Sequence, residues 1–210
     1  MARSYKGEIP MHGFKALLCL AGVLLIAAAW HKTEVNNLGP NVNNVDDTDR
    51  MCKKSDVYFT ERDSLGLRIP RIGLETILNF AALSQGRIDA QALKGCPAWI
   101  SPEARPSLCR IGQPGVALIL GHRQWGLRPL VFARLDALQI GDGISIFNHD
   151  STLNFAVSRR YEITPDRIWQ AVDDESSLAL RDNRPEIMLL TCAPYGYNHH
   201  RLVVIAGLEG

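Results

Sequence analysis

Glu186-Ile187-Met188-Leu189-Leu190-Thr191-Cys192-Ala193-Pro194-Tyr195-Gly196 is the stretch on which the fold turns. Residues 187–191 form an apolar run too short for an ordinary helix and closed by Pro and Gly, which reads as a buried strand. Cys192 therefore stands at a strand end where the chain turns, at the mouth of a barrel and not in its centre. Nine residues on, Arg201 opens a second run, Leu202-Val203-Val204-Ile205. If the two runs are neighbouring antiparallel strands joined by residues 193–200, Cys192 and Arg201 lie side by side on one rim.

Working outward, Gly121-His122-Arg123 closes the apolar run 116–120, so His122 also falls at a strand end. Further short runs at 67–69, 143–147, 153–157 and 202–207 are bounded by Gly, Pro, Asn and Asp, and Ile144-Ser145-Ile146-Phe147 alternates. Such runs predict strands. Helical signal is confined to 89–93 and 129–138, the latter through Leu130, Phe132, Leu135 and Leu138. The expected class is mostly β, a barrel or sandwich with a few short helices.

The three rim residues have complementary chemistry. A thiolate is a nucleophile, an imidazolium can protonate a leaving amine, and a guanidinium can stabilise the oxyanion of a tetrahedral intermediate.

Composition sets the context. The chain has 210 residues, 46% hydrophobic and 21% charged, which excludes a collagen-like, coiled-coil or wholly disordered protein. Lys plus Arg number 23 and Asp plus Glu 22, a net charge of +1 that argues against nucleic-acid binding. The first fifteen residues carry Arg3, Lys6 and Lys15 against Glu8, a local +2. Residues 16–30, ALLCLAGVLLIAAAW, then run without a charged or strongly polar side chain.

A spanning helix needs about 20 apolar residues, so this run suffices if Phe14 joins it and the Lys15 stem snorkels. The expectation is a transmembrane signal anchor with a cytoplasmic segment at 1–15 and everything after Trp30 exported. A cleaved secretory signal, with Ala27-Ala28-Ala29 at the cleavage site, is the alternative. Residues 31–60, crowded with Asn and Asp such as Asn36, Asn43, Asp46 and Asp49, read as a flexible linker. Residues 61–210 remain as one domain.

Export puts the cysteines in an oxidising space. Cys96 and Cys109 bracket the proline-rich PAWISPEARPSL, and a disulfide between them is expected. Cys52 stays free, pairs with another chain or competes for either of them. His199 and His200 could be imagined as metal ligands with Cys192 and His122, but their spacing is unlike that of loop zinc sites and a metal-bound thiol is no free nucleophile. No metal or cofactor is expected.

The stretch Thr191-Cys192-Ala193-Pro194-Tyr195-Gly196-Tyr197-Asn198-His199-His200-Arg201-Leu202 resembles the active-site signature of sortases, cysteine transpeptidases that process exported proteins, most of all its class C form. The similarity takes in residues 67–74 as an opening strand, Pro114-Gly115, Gly121-His122-Arg123, Phe132-x-x-Leu135 and Gly141-Asp142. It implies an eight-stranded β-barrel. It further implies that Cys192 attacks an LPxTG-like sorting signal, that His122 is general acid then base, and that Arg201 holds the oxyanion and the sorting motif. Thr191, Tyr195, Asn198 and His200 would line the substrate pocket. The partners implied are exported proteins with C-terminal sorting signals, an amine nucleophile from the envelope or a pilin-like protein, and the membrane.

The link 95–112 is longer than the family's usual one and 46–58 carries no lid motif, so the subclass stays open. Asp166, Asp173, Asp174 and Glu175, expected in a loop near the rim, read as a solvated face in preference to a calcium site. Two other classes fit the chain less well. L,D-transpeptidases place their Arg two residues after the Cys, where this chain has Pro194, and an inactive membrane-tethered binding module would need no Gly-His-Arg.

Overall fold

The computed structural model describes residues 58–84, 87, 88, 93 and 95–210. The expected anchor and nearly all of the linker lie outside these residues, as does the 89–93 helix apart from Leu93. Among the described residues no helix is long and apolar enough to cross a membrane.

Eight strands of the described residues close into a barrel: β1 (Leu65–Ile69), β2 (Leu74–Ala81), β3 (Ala98–Ile100), β4 (Gly115–Leu120), β5 (Gly143–Phe147), β6 (Thr152–Ile163), β7 (Pro185–Ala193) and β8 (His200–Leu208). Their order around the barrel is β1-β2-β3-β4-β7-β8-β6-β5, with β5 pairing back onto β1. Leu67, Ile69, Ile119, Ile146, Phe155, Leu189 and Val204 are among the side chains that fill the interior.

Two strand pairs are parallel, β2 with β3 and β4 with β7. The second explains why residues 116–120 and 187–190 are continuous apolar runs without alternation. A parallel pair is normally covered on both faces, and every residue of β4 is buried, as is β7 from Glu186 to Thr191. The outer cover is one helix, α1 (Ile168–Arg181), packed on β4 and β7.

The helix expected over 129–138 does not form. Pro129 pairs with Gln124 in a two-residue ribbon, and residues 130–138 form turns and a short 3-10 segment at Leu135–Ala137, while α1 arises from 168–181. Its buried stripe is Ile168, Val172, Glu175, Ser176 and Ala179, a helical spacing whose third and fourth members are polar. The carboxylates expected in a loop thus sit on a 3-10 turn (Asp166) and on this helix. The opening strand also ends early, at Ile69. Pro70–Ile72 form a 3-10 turn, Gly73 takes a left-handed conformation at φ 67°, and β2 begins at Leu74.

Glu175 is tolerated in the helix–barrel interface because Arg159 donates to it and the Tyr161 hydroxyl donates at 2.8 Å. Arg159 also reaches Glu186 at 3.2 Å, and Arg184 binds the other oxygen of Glu186 at 2.8 Å. Burial, with the Glu175 hydrogen bond, holds the Tyr161 phenol neutral and far above its usual range. At the helix's outer side, Asp173 accepts from Arg105 and, at 2.6 Å, from Ser107, while Arg105 lies 5.1 Å over the Trp169 ring.

The Cys96–Cys109 bridge does not form. Cys96 is a free thiol, with the Thr76 hydroxyl 3.8 Å from its sulfur, and Cys109 is in a disulfide whose other half lies outside the described residues. Geometry gives the reason. Ala98 pairs with Leu120, whereas the Cys109 amide bonds the Val116 carbonyl, four residues away along the same strand. At a strand rise of about 3.3 Å per residue that is about 13 Å, well beyond the reach of a disulfide. Gly115 fits the packing around the cysteine it does have, since a Cβ there would lie 2.4 Å from the Cys109 sulfur.

Arg159→Ala leaves Glu175 and Glu186 together without their shared cation, and we expect a loss of about 3 kcal/mol in urea unfolding at pH 8. The loss should shrink at pH 5, since burial already pushes the Glu186 carboxyl upward and removing Arg159 takes away a cation that opposes this. A loss equal at both pH values would show that the pairing does not hold this interface.

Candidate active site

The rim at the C-terminal end of β7 is assembled by strand register. Cys192 is the Cα partner of Arg201 across the β7–β8 pair. On its other side β7 runs parallel to β4, the last aligned pair being Leu190 with Leu120. Carried two residues further, that register brings His122 opposite Cys192. The nucleophile candidate is thus flanked by the imidazole-bearing segment on one side and by the guanidinium-bearing strand on the other.

Hydrogen bonds hold the Gly121–Arg123 segment in that place after β4 has ended. The Gly121 amide donates to the Leu190 carbonyl at 3.1 Å, and the Thr191 hydroxyl donates to the Gly121 carbonyl at 2.8 Å. The Phe132 amide donates to the His122 carbonyl at 2.9 Å, and Arg123 Nη1 donates to the Cys192 carbonyl at 3.4 Å. Gly121 is required by close approach, since a Cβ would lie 2.3 Å from the ring of the fully buried Phe132.

Cys192 is a free, half-buried thiol. His122 is also half-buried, and loss of solvent pushes its pKa below the ordinary 6.5, which makes the imidazole neutral at pH 7. Arg201 is 7% exposed and pairs with no carboxylate among the described residues. Its Nη1 donates to the carbonyls of Asn198 at 3.0 Å and His200 at 2.9 Å. Those bonds use one nitrogen, so the full positive charge and the Nε and Nη2 donors are left for a ligand.

The remaining expected residues divide. Thr191 is buried, and its hydroxyl is spent on Gly121, so it positions the His122 segment instead of lining a pocket. Tyr195 and Asn198 are exposed on the loop after β7, and His200 is exposed at the start of β8. The Tyr195 hydroxyl donates to the Leu127 carbonyl at 3.1 Å, and the Gly196 amide to Gln124 Oε1 at 2.7 Å. These bonds dock the loop on a small ribbon, Gln124–Trp125 paired with Arg128–Pro129. Tyr197 stacks on His199 with ring centroids 5.9 Å apart. Arg123, Asp136 and Gln124 belong to the rim and were not assigned from sequence; only Arg123 carried a signal, through its place beside His122.

Two outcomes test this geometry. Gly121→Ala should lower stability by about 1–3 kcal/mol through overpacking against Phe132, read by denaturant unfolding; an unchanged midpoint contradicts the contact. For His122 the unfolded chain binds the proton near pH 6.5 and the folded chain only below that, so its contribution is complete above pH 6.5 and is lost as pH falls through the folded value. The melting temperature should therefore drop more steeply between pH 7.5 and 5.5 in the native protein than in His122→Asn. Equal slopes contradict burial of a neutral imidazole.

The family model described as Sortase domain matches residues 67–209. Sortase A of Bacillus anthracis is 29% identical over 92 residues, covering 44% of this chain and 40% of that protein, so the match spans less than half of either. Among solved structures, Sortase A from Corynebacterium diphtheriae superposes with a TM-score of 0.55 at 22% identity, over 72% of this chain and 62% of that one. The Pilus-related Sortase C of Group B Streptococcus gives 0.54 at 20% identity, over 73% and 70%. Group B Streptococcus Pilus Island 1 Sortase C2 gives 0.55 at 21%, over 88% and 95%. At these identities the structures establish the fold, and the family model, covering most of the chain, carries the assignment: the chain belongs to the sortase family.

Proposed function

We propose that the protein is a membrane-anchored cysteine transpeptidase that cleaves an LPxTG-like sorting signal through a thioacyl intermediate and joins the substrate to an amine. The observation that carries this reading is the register pairing Cys192 with Arg201 beside the His122 segment. Neutral His122 takes the thiol proton as the Cys192 sulfur attacks the scissile carbonyl. Arg201 donates to the oxyanion from its free nitrogens. The C–N bond then breaks, and the imidazolium gives its proton to the departing amine, leaving a thioester on Cys192. In the second half an incoming amine attacks that thioester and loses a proton to His122. The C–S bond breaks and the thiol is restored.

A low His122 pKa suits this cycle, because each half begins with the imidazole as a proton acceptor. The substrates are exported proteins with C-terminal sorting signals, and the amine comes from the envelope or from a pilin-like protein. Tyr195, Asn198 and His200 present the exposed wall beside the thiol. The apolar run at 16–30, with positive charge before it, anchors the chain in a single pass with the catalytic domain on the extracytoplasmic side.

Incubation of the purified domain with an LPxTG-type peptide library and a free amine should yield the amide-exchanged product by mass spectrometry. Cys192→Ala should abolish it, and Arg201→Ala should lower kcat about 10²–10³-fold. Hydrolysis or exchange that persists in Cys192→Ala would contradict the assignment. In cell fractions the full chain should stay with membranes after alkaline carbonate extraction, and release into the supernatant would contradict the anchor.

A further inference from the structure

We infer that Arg123 is a positioning residue for the Cys192 site, holding the nucleophile's own peptide group and the loop that follows it in register with His122. The inference rests on the transpeptidase reading of that site and adds a residue to it.

Arg123 is 4% exposed. Its Nη2 meets the Asp136 carboxylate at 2.5 Å, its Nη1 donates to the Cys192 carbonyl at 3.4 Å, and its Cζ lies 5.8 Å from the centroid of the Tyr195 ring. Its Nε is buried without a partner among the described residues. Burying a guanidinium is costly unless its partners repay it, and here its carboxylate partner among the described residues stands on the 3-10 segment, 54% exposed. Packing alone would be served better by an apolar side chain. What the charge does uniquely is reach the backbone of the nucleophile.

The contacts close a ring. Arg123 follows His122 directly and grips the Cys192 carbonyl and the Tyr195 face. The Tyr195 hydroxyl returns to the Leu127 carbonyl, and the Gly196 amide to Gln124, in the ribbon that Arg123 leads into. The position of the Cys192 carbonyl fixes the peptide plane after the nucleophile, while pairing with Arg201 fixes the strand on the other side. At 3.4 Å the bond to Cys192 is long, and the positive charge of the donor strengthens it. A fork is needed, since separate nitrogens serve Asp136 and Cys192 while the plane faces an aromatic ring; a lysine ammonium offers one point. Because it is buried, Arg123 acts through Cys192 and Tyr195 and does not touch substrate.

Arg123→Lys should lower kcat about tenfold with KM within twofold, because misplacement is felt in the transition state. Asp136→Asn, on the surface, should give a smaller loss of the same kind. The double variant should be no worse than Arg123→Lys, since Asp136 works through Arg123. A second readout needs no substrate: the rate of iodoacetamide alkylation at Cys192, mapped by peptide mass spectrometry with free Cys96 as internal reference. The Cys192 to Cys96 ratio should fall several-fold in Arg123→Lys, whereas general loosening raises both rates. An unchanged ratio with native melting, an effect confined to KM, or additive losses in the double variant each overturn the inference. If Arg123→Lys does not fold, Asp136→Asn and Tyr195→Phe decide it by the same ratio. Should the native protein turn over no peptide while the ratio still responds to Arg123, the transpeptidase reading fails and the positioning role stands.

Discussion

The parallel pairing of β4 with β7 governs the rest of the molecule. This parallel pair is buried on both faces, as parallel pairs normally are: the barrel fills one side and α1 covers the other. That cover brings Glu175 and Glu186 into a low-dielectric interface, where Arg159 and Arg184 neutralise them. The same pairing delivers the two chain segments that matter chemically to one rim. With β8 antiparallel on the far side, Cys192 stands between the His122 segment and Arg201 without any side chain having to search for its partner.

The two guanidiniums of the rim differ in what neutralises them. Arg201 is buried and, among the described residues, binds only backbone carbonyls, which leaves its charge for a ligand. Arg123 is equally buried but tied to Asp136 and to the Cys192 backbone. His122, next to Arg123 in the chain, carries an imidazole that burial keeps neutral. The strand end that carries the thiol is thus flanked by a chain segment with a neutral imidazole and by a strand with a buried positive charge, a polarity suited to acyl transfer.

Much of this was legible in the chain. The runs at 116–120, 143–147, 186–191 and 202–207 are strands because short apolar stretches bounded by turn residues have few other solutions, and the Cys192–Arg201 spacing follows from a hairpin with an eight-residue link at most. What escaped had physical causes. The α1 stripe contains Glu175 and Ser176, whose burial depends on Arg159 and Tyr161 from a distant strand. β3 has three residues and exists through its neighbours. β2 leaves Ile77 64% exposed and so hides its alternation. Cys96 and Cys109 are close in sequence and far apart in the sheet, because Ala98 pairs near the end of β4 at Leu120 while Cys109 bonds near its start at Val116. Arg123 was visible as a residue of the Gly-His-Arg motif, but Asp136, its partner, is announced by no pattern.

The account stands on Cys192 being the acyl-carrying atom of the rim. Intact-mass measurement of the reduced domain mixed with sorting-signal peptide, without added amine, tests it most directly. The prediction is a mass increase equal to the acyl half of the peptide, mapped to Cys192 and discharged when amine is added. Absence of that adduct on every LPxTG-type peptide, with the Cys192 thiol demonstrably reduced, would contradict it.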